Sequence, residues 1–192
     1  MSLFRPAFTL LLVFTVMLGL VYPFAITGIA RVAFPAQAEG SLLHDGEHVI
    51  GSSLIGQPFN DPRYFWGRPS ATAPVPYNGA ASSGSNQGPM NPALRDAVIA
   101  RVKALQSADP SNAAPIPIDL VTASASGLDP HISPAAAFYQ APRVARARAL
   151  SEASVRSMVD AAVEPRTFGI LGEPRVNVLQ LNLALDGAAA RP

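Results

Sequence analysis

The most pronounced feature of the hydrophobic pattern is a long apolar segment near the N-terminus. No charged residue occurs from Pro6 to Ala30, and Arg5 and Arg31 stand at its two ends. About 20 apolar residues in a helix are enough to cross the hydrocarbon core of a bilayer. The pattern therefore predicts a single transmembrane helix, with a membrane anchor over residues 1–34 and a soluble domain over residues 35–192.

A cleavable signal peptide is the alternative interpretation of this segment. Ala36-Gln37-Ala38, followed by Glu39, fits the small residues of a cleavage site. The apolar run is longer than the 7–15 residues that are usual for such peptides. Its length favours an uncleaved anchor over a secreted periplasmic binding protein.

The charges around the segment indicate its orientation. Arg5 and the terminal amine lie on one side and Arg31 on the other, so the positive-inside rule is nearly balanced there. No Lys or Arg follows from Val32 to Pro62, whereas three acidic residues do: Glu39, Asp45 and Glu47. We therefore expect a single-pass membrane protein with a cytoplasmic N-terminus and an external domain.

The remaining chain alternates strand, loop and helix patterns, which predicts one α+β domain. Asp45-Gly46 between Gly40–Leu43 and Glu47–Ile55 is typical of a tight β-hairpin, with its second strand continuing to Phe59. Gly51 and Gly56 indicate a bulge or a close backbone approach.

Three capping patterns predict helices in the rest of the domain. Asn91-Pro92 opens one with a stripe of Leu94, Val98, Val102 and Leu105. Ser133-Pro134 opens a short helix over 135–140. Ser151 opens a third, which carries Val155, Met158, Val159 and Ala162 and ends before Pro165.

Two strands and a loop complete the predicted domain. Ile118–Val121 reads as a short buried strand, and Arg175–Leu185 as a half-buried C-terminal strand with one slip in its alternation. Residues 60–92 have no period and are rich in Pro, Gly, Ser and Asn. Four aromatic residues at or near its start (Phe59, Tyr64, Phe65 and Trp66) predict an ordered loop that contacts a partner; covering the domain's own core is the alternative.

Composition excludes several classes of function. The net charge of +1 gives no footprint for nucleic acid, and the absence of cysteine excludes disulfides, thiolate metal sites and cysteine nucleophiles. His44 and His48 flank the hairpin turn, where solvated side chains are a better interpretation than a metal site because no further ligand is evident.

No intact catalytic motif accompanies these elements. The serines around Ser124 and Ser126 lack the first glycine of a nucleophile elbow, and the lone lysine, Lys103, is not in a phosphate-binding loop. A serine hydrolase that uses Ser126, His131 and Asp129 is the alternative to a protein that acts by binding. The run Thr122–Pro134 reads either as a polar turn or as a recognition loop for an anion or a partner, with Arg143 nearby.

At these residues the chain resembles a known family. The motifs GSSLIGQPF, FWGRPS, DLVTASASGLDPHISPAAAFYQAPRVARAR and GEPRVNVLQLNLALD follow an N-terminal anchor in order. Together they resemble the C subunit of the bacterial Kdp potassium-transporting P-type ATPase over nearly the whole chain. Small departures occur at Ser83, Gln87 and Met90, and over residues 164–168.

The resemblance implies a non-catalytic subunit of a potassium import pump. Its partners would be a channel-like subunit that selects potassium, the transported ion, and a P-type subunit that hydrolyses ATP. The family's C subunit is proposed to raise the ATP affinity of that second subunit. The implied nucleotide contacts are Ser124, Ser126, Gly127, Asp129 and Gln140. The resemblance also places the chain in the bacterial inner membrane, where an external domain is periplasmic. Such a domain would meet no ATP, and the expected topology therefore favours a role in capping the ion entrance and stabilising assembly.

Overall fold

The computed structural model describes residues 3–189. Residues 1–2 and 190–192, the outer ends of the expected anchor and soluble domain, lie outside the described residues. The chain forms two compact units, which divide after Ser52.

The first unit begins with a continuous helix, which confirms the helix predicted for the long apolar segment. It comprises α1 (Phe4–Val16), a π-helical turn (Met17–Val21) and α2 (Tyr22–Ala33). The wider turn comes just before Pro23, whose ring cannot donate a backbone hydrogen bond, and the helix continues past it. None of its side chains is buried, and it is long and apolar enough to cross a membrane.

A short helix and the predicted hairpin end this unit. Helix α3 (Pro35–Ala38) is followed by strands β1 (Leu42–Asp45) and β2 (His48–Ser52), which pair antiparallel. The two-residue turn is Gly46-Glu47, one residue later than the predicted Asp45-Gly46, because Asp45 still pairs with His48. Gly46 adopts φ +59°, a backbone angle that suits glycine. The register shifts next to Gly51, where a bulge was expected. The second strand is shorter than predicted because it ends at Ser52.

The second unit packs helices against a small antiparallel sheet. Its strands β3 (His131–Ile132), β4 (Val163–Glu164) and β5 (Arg175–Asn177) lie in the order β3-β5-β4. Ile132 and Val163 both pair with Val176 at the centre of the sheet. The fully buried side chains of this core include Phe65, Val144, Val155, Val159, Val176, Leu181 and Leu185. The predicted α+β class is therefore confirmed.

The three capped helices begin where the sequence indicates. Helices α4 (Pro92–Ala108), α5 (Pro134–Arg148) and α6 (Glu152–Ala162) are each capped by the preceding Asn91, Ser133 or Ser151, whose side-chain oxygen accepts a backbone N–H. Helix α5 is much longer than predicted and runs through Pro142. Burial of alanines and valine on both sides of that proline stabilises the continuation (Ala137, Ala141, Val144 and Ala145).

Two of the strand predictions were wrong. Only Arg175–Asn177 of the C-terminal segment is a strand, and α7 (Val178–Ala189) follows directly. The Asn177 side chain accepts a hydrogen bond from Gln180 N at 3.1 Å and so caps this helix. Leu181 and Leu185 are buried at helical spacing.

The second wrong strand, Ile118–Val121, forms a 3-10 turn over Ile118–Leu120. The turn buries Leu120 and leaves Ile118 at the surface. Asp119 Oδ2 accepts a hydrogen bond from Ser133 N at 2.7 Å, which fixes this turn at the start of α5. Across the turn, Thr122 Oγ1 donates to Ile118 O at 2.8 Å, and a local side chain–backbone bond of this kind competes with strand pairing.

Aromatic residues at the start of the long loop over 60–92 hold it in place, as predicted, but they do so by packing against the domain's own core. Phe65 is fully buried, and Phe59 and Trp66 pack against the same core. The loop itself contains a 3-10 turn at Gly79–Ala81. Three of the four aromatic residues thus cover the domain's own core, which was the alternative expectation, and Tyr64 packs against Phe59 and Arg148.

Candidate functional site

The segment Ser124–Pro130 forms a tight loop in which both serine hydroxyls serve the backbone. Ser124 is buried, and its Oγ accepts a hydrogen bond from Gly127 N at 2.9 Å. Ser126 is exposed, and its Oγ accepts from Leu128 N at 3.1 Å. Serine oxygens used in this way form turns that hold a loop in one conformation.

Gly127 sits where the long loop crosses this turn. Its φ is +68°, and a Cβ placed there would lie 2.6 Å from Thr72 Cγ2 and 2.7 Å from Ser83 O. Ser70 Oγ donates to Gly127 O at 2.7 Å, and Ser83 N donates to Ser126 O at 3.0 Å. Only glycine combines this backbone angle with such a close approach.

The carboxylate of Asp129 joins the turn to the FWGRPS segment. Its Oδ2 accepts a hydrogen bond from Arg68 Nη1 at 3.1 Å, and its Oδ1 accepts from His131 N at 3.0 Å. Arg68 Nη2 also donates to Ala123 O at 3.3 Å. Burial alone would raise the pKa of Asp129, but the hydrogen bonds from His131 and Arg68 outweigh it and hold that pKa below its usual value.

Gln140 lies apart from this loop, on α5 beneath Trp66. Its side chain is 1% exposed. Oε1 accepts from Trp66 N at 2.8 Å and from Arg143 Nη2 at 2.7 Å, while Nε2 donates to Trp66 O at 3.1 Å and Ala136 O at 3.2 Å. The amide therefore uses both of its polar atoms inside the domain.

Arg143 completes this buried network. Its guanidinium lies 4.4 Å from the centre of the Trp66 ring, and Nη1 donates to Pro62 O at 2.5 Å. Burial lowers the pKa of Arg143 to about 10. Arg143 thus supports the aromatic segment from below, and it is not part of the Ser124–Pro130 turn.

Sequence reasoning missed two residues that organise the site. Arg68 is the only cation in FWGRPS, and it forms the link between that segment and Asp129. Asn182 on α7 holds Phe65 as Gln140 holds Trp66: Phe65 N donates to Oδ1 at 2.9 Å, and Nδ2 donates to Phe65 O at 3.0 Å. The single arginine of FWGRPS was a signal that the sequence offered. The contact of Asn182 with Phe65 joins distant parts of the sequence and left no such signal.

Three cavities meet at Arg68. One of about 390 Å³ is lined by Ser124, Ser126 and Asp129, and one of about 610 Å³ by Asp119, Asp129 and His131 among others. A third of about 410 Å³ lies beside Trp66 and Tyr77. Their mixture of carboxylate, guanidinium and hydroxyl groups is suited to polar contacts with another molecule.

His131 and Asp129 lie close together, whereas the Ser126 hydroxyl accepts its hydrogen bond from Leu128 N. His131 Nδ1 lies 3.5 Å from Asp129 Oδ1, but within residues 3–189 no hydrogen bond joins Ser126 to His131. Over the same range no group of three or more His, Asp or Glu side chains could hold a metal ion. His44 and His48 are both exposed at the hairpin.

The chain has close relatives among known proteins. A family model described as the c chain of the K+-transporting ATPase matches residues 4–187. A protein of Sorangium cellulosum is 66% identical over 184 residues, covering 96% of this chain and 97% of its own. Proteins of Methylococcus capsulatus (64% over 183 residues, 95% and 96% covered) and Dechloromonas aromatica (61% over 188 residues, 98% of each) are also similar. All three relatives are named potassium-transporting ATPase KdpC subunit.

Proposed function

The chain belongs to the family of KdpC subunits of the K+-transporting ATPase, and from this premise we propose that it acts by binding, without catalysis of its own. Its partners in this proposal are the channel-like potassium-binding subunit and the P-type subunit that hydrolyses ATP. Potassium is the ion that the complex transports. The subunit stabilises the assembly and caps the ion entrance.

One observation carries this proposal: the side chains of Ser124 and Gln140 are buried and already hydrogen-bonded within the domain. A buried polar group left without its partner costs about 1–3 kcal/mol. Gln140 would have to give up several hydrogen bonds to contact a nucleotide. Its burial supports a positioning role, in which it holds the FWGRPS segment, and Arg68 with it, against α5.

A second candidate is the ATP-affinity role that the family resemblance implies. Ser126 is exposed beside the cavity of about 390 Å³ that Arg68 also lines. A guanidinium and a hydroxyl at one cavity are groups that bind phosphate. In this alternative Ser126, Gly127 and Asp129 contact ATP, and the domain lies on the cytoplasmic side of the membrane.

The side of the membrane on which the domain lies decides between these two roles. We propose a single-pass protein of the bacterial inner membrane with the N-terminus cytoplasmic and the domain periplasmic. The charges that flank the apolar helix support this orientation. The chain has no cysteine, so one introduced thiol reports its own location.

The test uses the single-cysteine variants Ser85→Cys and Leu3→Cys in cells with a permeabilised outer membrane. Both positions are exposed, one in the long loop and one before the apolar helix. We expect a membrane-impermeant maleimide to label Ser85→Cys and to reach Leu3→Cys only after the inner membrane is broken. The reverse pattern would place the domain in the cytoplasm and favour ATP contact.

Assembly is tested separately by co-expression with the two larger subunits. We expect the chain to purify with both, and the isolated chain to hydrolyse neither ATP nor a generic ester. A monodisperse monomer that ignores both subunits would contradict the proposal. Ester hydrolysis that Ser126→Ala abolishes would favour the hydrolase instead.

A further inference from the structure

An exposed arm extends from the small sheet of the second unit. Strands β4 and β5 pair at Val163 with Val176 and at Glu164 with Arg175. All residues from 165 to 174, which connect these strands, are exposed. We call residues 166–173 the tip.

The tip is held in a defined hairpin by its own backbone. Thr167 N donates to Leu171 O at 2.9 Å, and Leu171 N donates to Thr167 O at 3.0 Å. Arg166 and Glu173 form an ion pair of 2.6 Å across its base. A second ion pair, between Arg175 and Glu164 at 2.9 Å, joins the paired strand residues where β4 ends and β5 begins.

The tip exposes three large apolar side chains that contribute nothing to the core. Phe168 is 88% exposed, Ile170 74% and Leu171 57%. Phe168 also adopts φ +56°, a left-handed conformation that is unfavourable for a bulky residue. The domain gains no burial in return for this strain, and strained residues of this kind concentrate at functional sites.

We propose that the tip docks into a concave apolar pocket on the channel-like subunit, whose ion entrance this domain caps in the proposed function. A pocket of fixed shape gains affinity from a backbone that is already in its bound conformation. A fluid bilayer adapts to the side chains that enter it and does not require a complementary shape. An apolar centre within a rim of charged residues is the usual anatomy of a protein–protein interface.

The charges around the tip also favour a protein over a lipid surface. Arg166 and Arg175 are each paired with a glutamate. Paired cations leave no net positive charge to attract anionic headgroups. This inference rests on the proposed function, because it requires that the chain assembles with partner subunits.

The first test measures protection of a single thiol at the tip. Ile170→Cys keeps Phe168 in place, and Met90→Cys, at a site 92% exposed in the long loop, is the matched control. We expect equal maleimide labelling of both variants in the isolated chain. In the assembled complex, labelling of Ile170→Cys should slow at least tenfold relative to Met90→Cys.

Each other outcome is distinguishable. Unchanged labelling of Ile170→Cys in the complex overturns the inference, and so does equal slowing at both sites. Protection of Ile170→Cys in nanodiscs without partners would make the bilayer the occupant and would overturn it as well. If the unmodified chain does not purify with the larger subunits, the proposed function itself fails before any labelling.

A second test separates docking from folding. Phe168→Gly relieves the positive φ and should raise the Tm of the isolated chain by about 2–4 °C. The same variant should be lost from the complex at least tenfold faster on dilution, because the aromatic anchor is gone. Ile118→Ser, at another exposed apolar site, should be retained normally. Normal retention of Phe168→Gly would overturn the inference.

Discussion

Gln140 binds both backbone polar groups of Trp66: its Oε1 accepts from Trp66 N at 2.8 Å, and its Nε2 donates to Trp66 O at 3.1 Å. Asn182 binds Phe65 in the same way. A buried loop has no neighbouring strand to satisfy its backbone, so the required donor and acceptor must come from side chains. Amides supply both in one group.

Replacement of Gln140 should therefore destabilise the domain. Gln140→Ala leaves Trp66 N and O unpaired in a buried site, and we expect a loss of about 2–4 kcal/mol in the free energy of unfolding. Urea denaturation of the purified protein measures it. Gln180→Ala, at an exposed glutamine of α7, is the control and should cost under about 0.5 kcal/mol. Equal effects of the two variants would contradict the positioning role.

Gly127→Ala should loosen the long loop. The new methyl group would meet Thr72 Cγ2 at 2.6 Å and Ser83 O at 2.7 Å in a backbone with φ +68°. We expect about 2–3 kcal/mol of destabilisation and faster proteolytic cleavage within 60–92. Gly88→Ala is the matched control, because nothing lies within 4 Å of its added methyl. Similar cleavage rates for the two variants would refute the predicted crowding.

Stability should depend on pH through Asp129. Its pKa is lower in the folded chain, since the hydrogen bonds from His131 and Arg68 outweigh burial. The stabilisation is therefore fully present above the unfolded value of about 3.9, and it is lost as pH falls through the lower folded pKa.

A double-mutant cycle of Asp129→Asn and Arg68→Gln checks this coupling. Its interaction energy should be favourable at pH 7 and smaller at a pH well below the unfolded value of about 3.9, as unfolding curves at the two pH values would reveal. A coupling that is equal at the two pH values would mean that the ion pair does not depend on the ionised carboxyl.

The apolar helix should tolerate no charge near its centre. Leu18→Arg should cost about 2.5–3.5 kcal/mol of insertion free energy and reduce the fraction of protein that resists carbonate extraction. Leu18→Val is the apolar control and should remain fully membrane-bound. N-terminal sequencing of the mature protein adds a second check. A mature chain beginning at Glu39 would establish the signal peptide in place of the anchor.

The sequence predicted most successfully those features that depend on neighbouring residues. The caps Asn91, Ser133 and Ser151 act within three residues of themselves, so their patterns identified the starts of α4, α5 and α6. The hairpin turn at Gly46 is equally local. Such signals do not need knowledge of the rest of the fold.

The errors arose where tertiary burial decides the structure. The segment Arg175–Leu185 alternates like a strand at first, yet Leu181 and Leu185 are buried as one helical face. The slip at Val178-Leu179 was the change from strand to helical period, with Asn177 as an unrecognised cap. Helix α5 extends beyond the predicted residues 135–140 and through Pro142, because the packing around that proline was invisible in the sequence.

The site was predictable only in part for the same reason. Ser124, Ser126, Gly127 and Asp129 are adjacent in sequence, and the structure brings them into one turn. The link from Arg68 to Asp129 spans 61 residues, and that from Asn182 to Phe65 spans 117. Contacts over such separations depend on the whole fold.

The two amides that hold Phe65 and Trp66 are mounted on different helices, Asn182 on α7 and Gln140 on α5. The aromatic segment is thus hydrogen-bonded at two consecutive residues to two different helices. If one helix slid past the other, either the hydrogen bonds of Asn182 with Phe65 or those of Gln140 with Trp66 would have to break. Arg68 lies two residues beyond Trp66, so both helices contribute to holding the surface around it in place.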